Sequence, residues 1–246
     1  MRSEQLSLSV IIPVFDGEEF LAAAVASVRQ QDSTPLEIIV VDDGSTDNTA
    51  RIARGLGSEV RYLYQANAGP PAARNRGLAL ARGEFIGFLD ADDLWSPGRQ
   101  APLLAPLMAD ARLEVVLGHT QFIRRSRSGE PGTFEAFSGP FLTLSLSCGL
   151  FRRSVFGRVG GFNEHLRHSD DTDWFLRAHE LGARMVTVPG VTQFYRRHER
   201  NITNQQGVDQ RYMLKALKLS LDRRRLGRAP AAPLPDWFTA ADPAST

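Results

Sequence analysis

The stretch Phe85–Pro97, FIGFLDADDLWSP, constrains this chain more than any other. An apolar run bounded by Gly83 and by a turn reads as a buried strand. It ends abruptly in three carboxylates, Asp90, Asp92 and Asp93. Like charges gathered at the tip of a buried strand repel one another unless something offsets them. A hard divalent cation such as Mg2+ or Mn2+ would do so, because it takes oxygen ligands and binds one or two carboxylates together with substrate phosphates. The plainer alternative is a solvated acidic turn, common at strand ends in α/β proteins.

Two earlier apolar runs end in a similar way. Leu6–Val14 reads as a strand stopped near Pro13 and followed by the turn signal Asp16-Gly17, and Leu36–Val41 is tipped with Asp42 and Asp43. Between them, Leu21, Ala24, Val25 and Val28 recur at helical spacing within Glu18–Gln31. The turn Gly44–Asp47 leads into a helix to about Leu56, Val60–Tyr64 is a short strand, and Pro70-Pro71 opens a helix to about Arg82 that Gly83 stops. The order β-α-β-α-β-α-β predicts a mainly parallel sheet with helices on both faces. Ligands of such sheets bind beyond the carboxyl ends of the strands. The acid tips would then face one crevice, and this clustering favours a metal-and-phosphate site over a solvated turn.

Beyond Pro97 the pattern predicts a helix to about Asp110, a strand over Glu114–Gly118, a loop over Ser126–Gly132, and short strands with a bend over Thr133–Leu146. Ser147–Phe151 leads into a short helix near Arg153–Val159, and Gly160–Phe162 is a turn. A helix over Asp171–Leu181 carries the stripe Trp174, Phe175, Ala178 and Leu181. Two strands follow, Arg184–Val188 and Val191–Tyr195, then a helix over about Gln206–Leu226. The basic residues of that last helix, Arg211, Lys215, Lys218 and Arg223–Arg225, form a solvated face or touch anionic lipid head groups at a membrane periphery.

Bulk properties exclude several classes. The length of 246 residues suits one domain with ample core. A net charge of +1 gives no argument for a nucleic-acid partner. The single Cys148 rules out a disulfide within the chain and fits a reducing compartment. No apolar stretch reaches the length of a membrane span, and the start lacks a signal-peptide pattern, so a cytoplasmic location is expected.

Six segments, VIIPVFDGEEFL, EIIVVDDGSTDNT, NAGPPAARNRGL, GEFIGFLDADD, GGFNEHL and SDDTDWFLRAHELG, lie in order between about Leu8 and Gly182. Together they resemble the inverting family 2 glycosyltransferases of the GT-A fold. The resemblance implies a nucleoside diphosphate sugar donor, UDP-linked by expectation, with GDP or dTDP as alternatives. Pro13 and Phe15 match positions that frame the base, and Asp43 an acid that hydrogen-bonds the base edge. Asp90 and Asp92 form the family's DXD pair, the first near the ribose and the second on a Mn2+ or Mg2+ ion. His198 resembles a histidine that some members bring to the metal. Asp171 matches the general base that takes the acceptor hydroxyl's proton. The family carries Glu-Asp where this chain has Asp170-Asp171; the alternative is that these acids merely favour a helix start.

Arg74 and Asn75 are candidates for the donor's phosphates or sugar, against the plain reading of a surface helix. Trp95 and Trp174 read as core or acceptor wall. The implied acceptor is a saccharide or lipid-linked saccharide, in polysaccharide or glycoconjugate synthesis. The implied organisation is a donor half over residues 1–118, an acceptor-side half over 119–228 with a small antiparallel portion, and a mobile Pro/Ala-rich tail over 229–246.

Competing classes leave distinct marks. A nucleotidyltransferase calls for a Gly-rich phosphate loop with a Lys near the first strand, where this chain has PVFDGEE. A non-catalytic nucleotide-sugar binding module is expected to lack the base or a DXD acid, and both are here. A dinucleotide-binding oxidoreductase is disfavoured because no G-x-G-x-x-G follows the first strand.

Overall fold

The computed structural model describes residues 7–32, 37–126, 133–201 and 208–227. The Pro/Ala-rich tail, and all but Ser126 of the expected loop over Ser126–Gly132, lie outside the described residues. The first strands are β1 (Leu8–Val14), β2 (Glu37–Asp42), β3 (Val60–Tyr64) and β4 (Phe85–Phe88), separated by α1 (Leu21–Arg29), α2 (Thr49–Arg54) and α3 (Pro70–Leu80). Then come β5 (Leu94–Trp95), α4 (Gln100–Ala109), β6 (Val115–Arg125), β7 (Phe134–Ala136), β8 (Phe141–Leu142), β9 (Gly149–Arg152), α5 (Ser154–Val159), α6 (Asp170–Glu180), β10 (Met185–Arg196) and α7 (Val208–Arg225).

One sheet runs in the order β3-β2-β1-β4-β9-β6-β10-β5. β1 pairs in parallel with both β2 and β4, which brings their carboxyl ends to one edge. β9 lies antiparallel between β4 and β6, so the sheet is mainly parallel with an antiparallel portion, as expected. Helices cover both faces. Leu21, Val25 and Val28 of α1 and Leu103 and Leu107 of α4 share one core with Val10, Ile12 and Phe85. The other core packs α3, α5 and α6 on Ile11, Ile39 and Phe88 and is dominated by aromatic edges, Phe88, Phe151, Phe156, Phe162 and Trp174 among them.

Several expectations change at this level. β6 runs to Arg125, well past Gly118, and the two late strands are one strand, β10, parallel to β6 with two register shifts between Thr187 and Gln193. Paired, these strands carry chain beyond the carboxyl edge. α1 starts at Leu21 rather than Glu18, because Glu18 is engaged by the β2–α2 turn: its N–H donates to Asp47 and its carboxylate accepts from Asn48 N at 3.0 Å. Gly83 is no helix stop. α3 ends at Leu80, and Gly83 lies so close to β1 that a Cβ there would sit 2.5 Å from Ser9 N. Leu181 is 46% exposed and falls outside the buried stripe, while Leu176, on another face of the helix, is buried.

At the β6–β10 pair, a Cβ on Gly118 would approach the Cβ of buried Thr192 to 2.8 Å and its branches more closely still. Overpacking of this kind destabilises by about 1–3 kcal/mol. Gly118→Ala should therefore lower the urea midpoint at unchanged m-value; an unchanged midpoint would show that the strands part freely.

Candidate functional site

The β1–α1 and β2–α2 turns are knitted into one rim. Asp16, in left-handed backbone at φ 47°, accepts from Thr46 N at 2.7 Å, and its own N–H donates to Ser45 Oγ at 2.9 Å. Pro13 is buried at the end of β1 while Phe15 stands 52% exposed beside it. An aromatic face held open on a rigid rim suits stacking of a planar group.

The two acids after β2 have separate duties. Asp42 is buried and accepts from Ser45 N at 2.8 Å and from the Tyr62 hydroxyl at 2.7 Å. Asp43, also buried, accepts from Gln65 Nε2 (2.7 Å), Ala68 N (2.9 Å) and Gly69 N (2.8 Å). It thereby shapes the loop into α3, in which Gly69 has φ 96° just before the two prolines. A carboxylate offers about four acceptor positions, so these three donors leave Asp43 roughly one more.

Asp90 and Asp92 open to solvent at this edge, each side chain 36% exposed. Asp93 does the opposite: it is buried and accepts from Gln193 Nε2 at 2.6 Å and Arg196 N at 3.0 Å, both on β10. Burial, with Asp92 and Asp90 beside it, raises its pKa well above the carboxylate range. The buried Arg196 guanidinium donates to the carbonyls of Asp92, of Ala91 (3.2 Å) and of Asp93 (3.2 Å), clasping the turn from behind. Just past β10, His198 stacks on Phe20 at 4.4 Å and sets Nε2 3.2 Å from Asp92 Oδ2. Asn201 accepts from His198 N at 2.6 Å and brings its amide to within 3.4 Å of the same Asp92 oxygen.

A carboxylate oxygen suits a hard cation such as Mn2+, and the imidazole nitrogen beside it is a further ligand open to first-row divalent metals. Among the described residues no group of three or more His, Cys, Asp or Glu side chains could hold a metal ion alone. Asp92 and His198 therefore fit a cation that draws its remaining ligands from phosphate oxygens and water.

The start of α6 is joined to this edge by Arg74. Its buried guanidinium, on α3, donates from Nη2 to Asp90 Oδ1 and from Nη1 to Asp170 Oδ2, both at 2.7 Å. Burial works against its charge, yet Asp170 and Asp90 more than offset this and hold its pKa above the ordinary value. α6 begins at Asp170, directly after Ser169 in left-handed backbone at φ 56°. Burial also raises the pKa of Asp170, against the pull of Arg74. Asp171 keeps an opening to solvent and accepts from Thr172 N at 2.7 Å. Protein atoms nevertheless crowd its carboxylate, and that desolvation, reinforced by the charge of Asp170, pushes its pKa up to about 7.

Other sequence candidates find structural uses. The Asn75 amide holds α3 to the turn after α5 through Phe162 O (2.9 Å), Phe162 N (2.7 Å) and Glu164 (2.9 Å). Trp95 and Trp174 are core; their indoles donate to Phe88 O and Gly160 O. On the basic helix, Arg223 does not face solvent but pairs with Glu180 at 2.5 Å and Asp173 at 3.2 Å, docking α7 on α6. The sequence reading missed Gln193, Arg196 and Asn201 and gave Asp93 no separate role. Their only signal was polar residues in and after an otherwise strand-like run.

Comparison with known proteins agrees with this architecture. The family described as Glycosyl transferase family 2 matches residues 9–160. Chondroitin synthase of Escherichia coli is 31% identical over 183 residues, 71% of this chain and 27% of that longer protein. S. aureus TarS 1-349 in complex with UDP-GlcNAc superposes with a TM-score of 0.70 at 21% identity, covering 92% of this chain and 68% of that one. Mannosyltransferase PcManGT from Pyrobaculum calidifontis, in complex with GDP-Man and Mn2+, gives 0.70 at 18% identity over 96% of this chain and 68% of that one. The fold is thus the mainly parallel α/β architecture of the GT-A glycosyltransferases. The chain belongs to glycosyl transferase family 2.

Because Arg196 donates to three successive carbonyls of the turn after β4, Arg196→Met should destabilise the fold by about 3 kcal/mol, since buried acceptors lose their donors. Chemical denaturation measures this; a loss below about 1 kcal/mol would make the clasp ornamental.

Proposed function

We propose that this chain transfers a sugar from a nucleoside diphosphate sugar to an acceptor hydroxyl by a single displacement with inversion. The observation that carries the reading is the Arg74 bridge, which brings the start of α6, and with it Asp171, to the edge where the DXD acids open. A sugar hydroxyl is a weak nucleophile at neutral pH, so a side chain must take its proton as the bond forms. Asp171, poised near pH 7, suits that work, since a base with a pKa near working pH is both deprotonated and basic enough. Transfer should accordingly rise with pH through about 7 as Asp171 loses its proton.

On the donor side, Phe15 and Pro13 frame the base, Asp43 offers its remaining acceptor position to the base edge, and Asp90 lies by the ribose. Arg74, expected at the donor, acts from beneath by holding Asp90. Asp92 and His198 would hold Mn2+ or Mg2+, which supplies charge stabilisation for the departing diphosphate. UDP is the proposed nucleotide, supported by the UDP-GlcNAc complex of one fold neighbour; the other neighbour's GDP-Man makes GDP the competitor. We assign donor binding to residues 1–118 and the acceptor, a saccharide or lipid-linked saccharide, to 119–228.

The test pairs binding with turnover. UDP-sugar should raise Tm more with Mn2+ than with EDTA, by mass action on the folded state, and GDP-sugars should do less. Asp171→Asn should cut transfer at least about a hundredfold while donor affinity stays within about threefold. Near-normal transfer by that variant, or retention at the anomeric carbon, would remove Asp171 from the mechanism.

The protein is further proposed to work in the cytoplasm at a membrane surface. No helix among the described residues is long and apolar enough to cross a bilayer. α7, however, presents exposed Leu214 and Leu221 in line with exposed Lys218 and Arg225, a combination that suits an anionic bilayer surface. Co-sedimentation with phosphatidylserine vesicles should exceed that with phosphatidylcholine and fall in Lys218→Glu/Leu221→Glu. Equal binding to both lipids, or none, would refute the contact.

A further inference from the structure

We propose that Arg74 is a positioning residue that couples the donor side of the crevice to the base side, by pairing one buried guanidinium with Asp90 and Asp170 at once. The inference rests on the reading of Asp171 as the base and adds to it a residue that sets how strongly that base holds its proton.

The geometry is specific to arginine. The two carboxylates come from different parts of the fold, the turn after β4 and the first residue of α6, with Asp170 96 residues from Arg74 in sequence. Both contacts are 2.7 Å and each uses a different terminal nitrogen. A planar fork can hold two acids in fixed directions; a lysine ammonium, a single point charge on a flexible stem, cannot fix both. Only 8% of Arg74 is exposed, so solvent does little to screen its pair with buried Asp170, while the pair with the more open Asp90 is screened in part.

The charged groups acting on Asp171 come from three elements. Asp170 is its neighbour on α6, Asp90 lies on the turn after β4, and Arg74 reaches in from α3; Thr172 adds a backbone N–H and a hydroxyl. Asp170 and Asp90 favour the protonated form of Asp171, and Arg74 is the cation in this set that opposes them. Whatever changes Asp90, including an arriving donor, is therefore felt by Asp171 through a shared counter-charge. Without Arg74, the charges of Asp90 and Asp170 act on Asp171 without this opposing cation, and the base would retain its proton to higher pH.

Carboxyl 13C NMR of the full chain, without donor, acceptor or metal, reads this directly, with Asp171→Asn assigning the resonance. In Arg74→Gln the titration of Asp171 should move up by at least about one pH unit, about tenfold in proton affinity. Arg74→Lys should move it less. Asp90→Asn, which removes a like charge and leaves Arg74 to Asp170, should move it down and serves if Arg74→Gln fails to fold. An Asp171 midpoint unchanged in folded Arg74 variants, or raised by Asp90→Asn, would overturn the coupling. The readout is independent of turnover: if the midpoints move as expected while Asp171→Asn still transfers sugar, the coupling stands and the base assignment falls.

Discussion

Repulsion among carboxylates gathered at one edge of a parallel sheet is the constraint that the rest of this structure accommodates. Asp90, Asp92, Asp170 and Asp171 gather at this edge, and a buried guanidinium, that of Arg74, meets part of their charge. Taking a guanidinium out of water is unfavourable unless its donors are met by good acceptors. At Arg74 both terminal nitrogens find a carboxylate at 2.7 Å, so the desolvated charge and the desolvated acids offset one another. The same contacts pin α3, the turn after β4 and the start of α6 together. Charge compensation and the placement of these three elements are one interaction.

A second cation does similar work from behind. Arg196 is met mainly by backbone carbonyls of the turn after β4, with Asp93 accepting from its backbone N–H. The direction of the acids follows from this. Asp93 turns inward to β10, while Asp90 and Asp92 stay open to solvent. The register shifts in β10 belong to the same device, because an extra residue in one strand of a pair bends it and changes where the following side chains point. His198 reaches Asp92 on the far side of that irregularity, backed by Phe20 and steadied by Asn201.

The sequence was most legible where a single period governed burial. The first four strands, α1 and most of the aromatic stripe of α6 follow from apolar spacing, and α2 and α3 from the turn and proline signals at their starts. It was least legible where a residue's role depends on a distant partner. Arg74 and Asn75 are adjacent and alike as polar residues on a helix, yet one bridges two acids of the site and the other fastens α3 to the turn at Phe162. Gly83 looked like a helix stop because glycine often ends helices, but its reason is a close approach to β1. Arg223 looked like part of a solvated face because a run of bases usually is one, but Glu180 and Asp173 on the neighbouring helix claim it.

What the sequence determined by itself was the alternation of strand and helix, the acids at strand ends, and therefore the edge on which chemistry would lie. Those features are local: hydrophobic period and turn chemistry act over a few residues, and parallel pairing then leaves the carboxyl ends together. What only the tertiary structure decided was the division of labour among the acids. Asp42, Asp43, Asp90, Asp92, Asp93, Asp170 and Asp171 are chemically near-equivalent in the sequence. They differ because Tyr62, the 65–69 loop, Arg196, His198 and Arg74 approach them from elsewhere in the chain. Burial and partner charge, which no local pattern encodes, set which carboxylate stays structural, which opens to solvent and which holds a proton near neutrality.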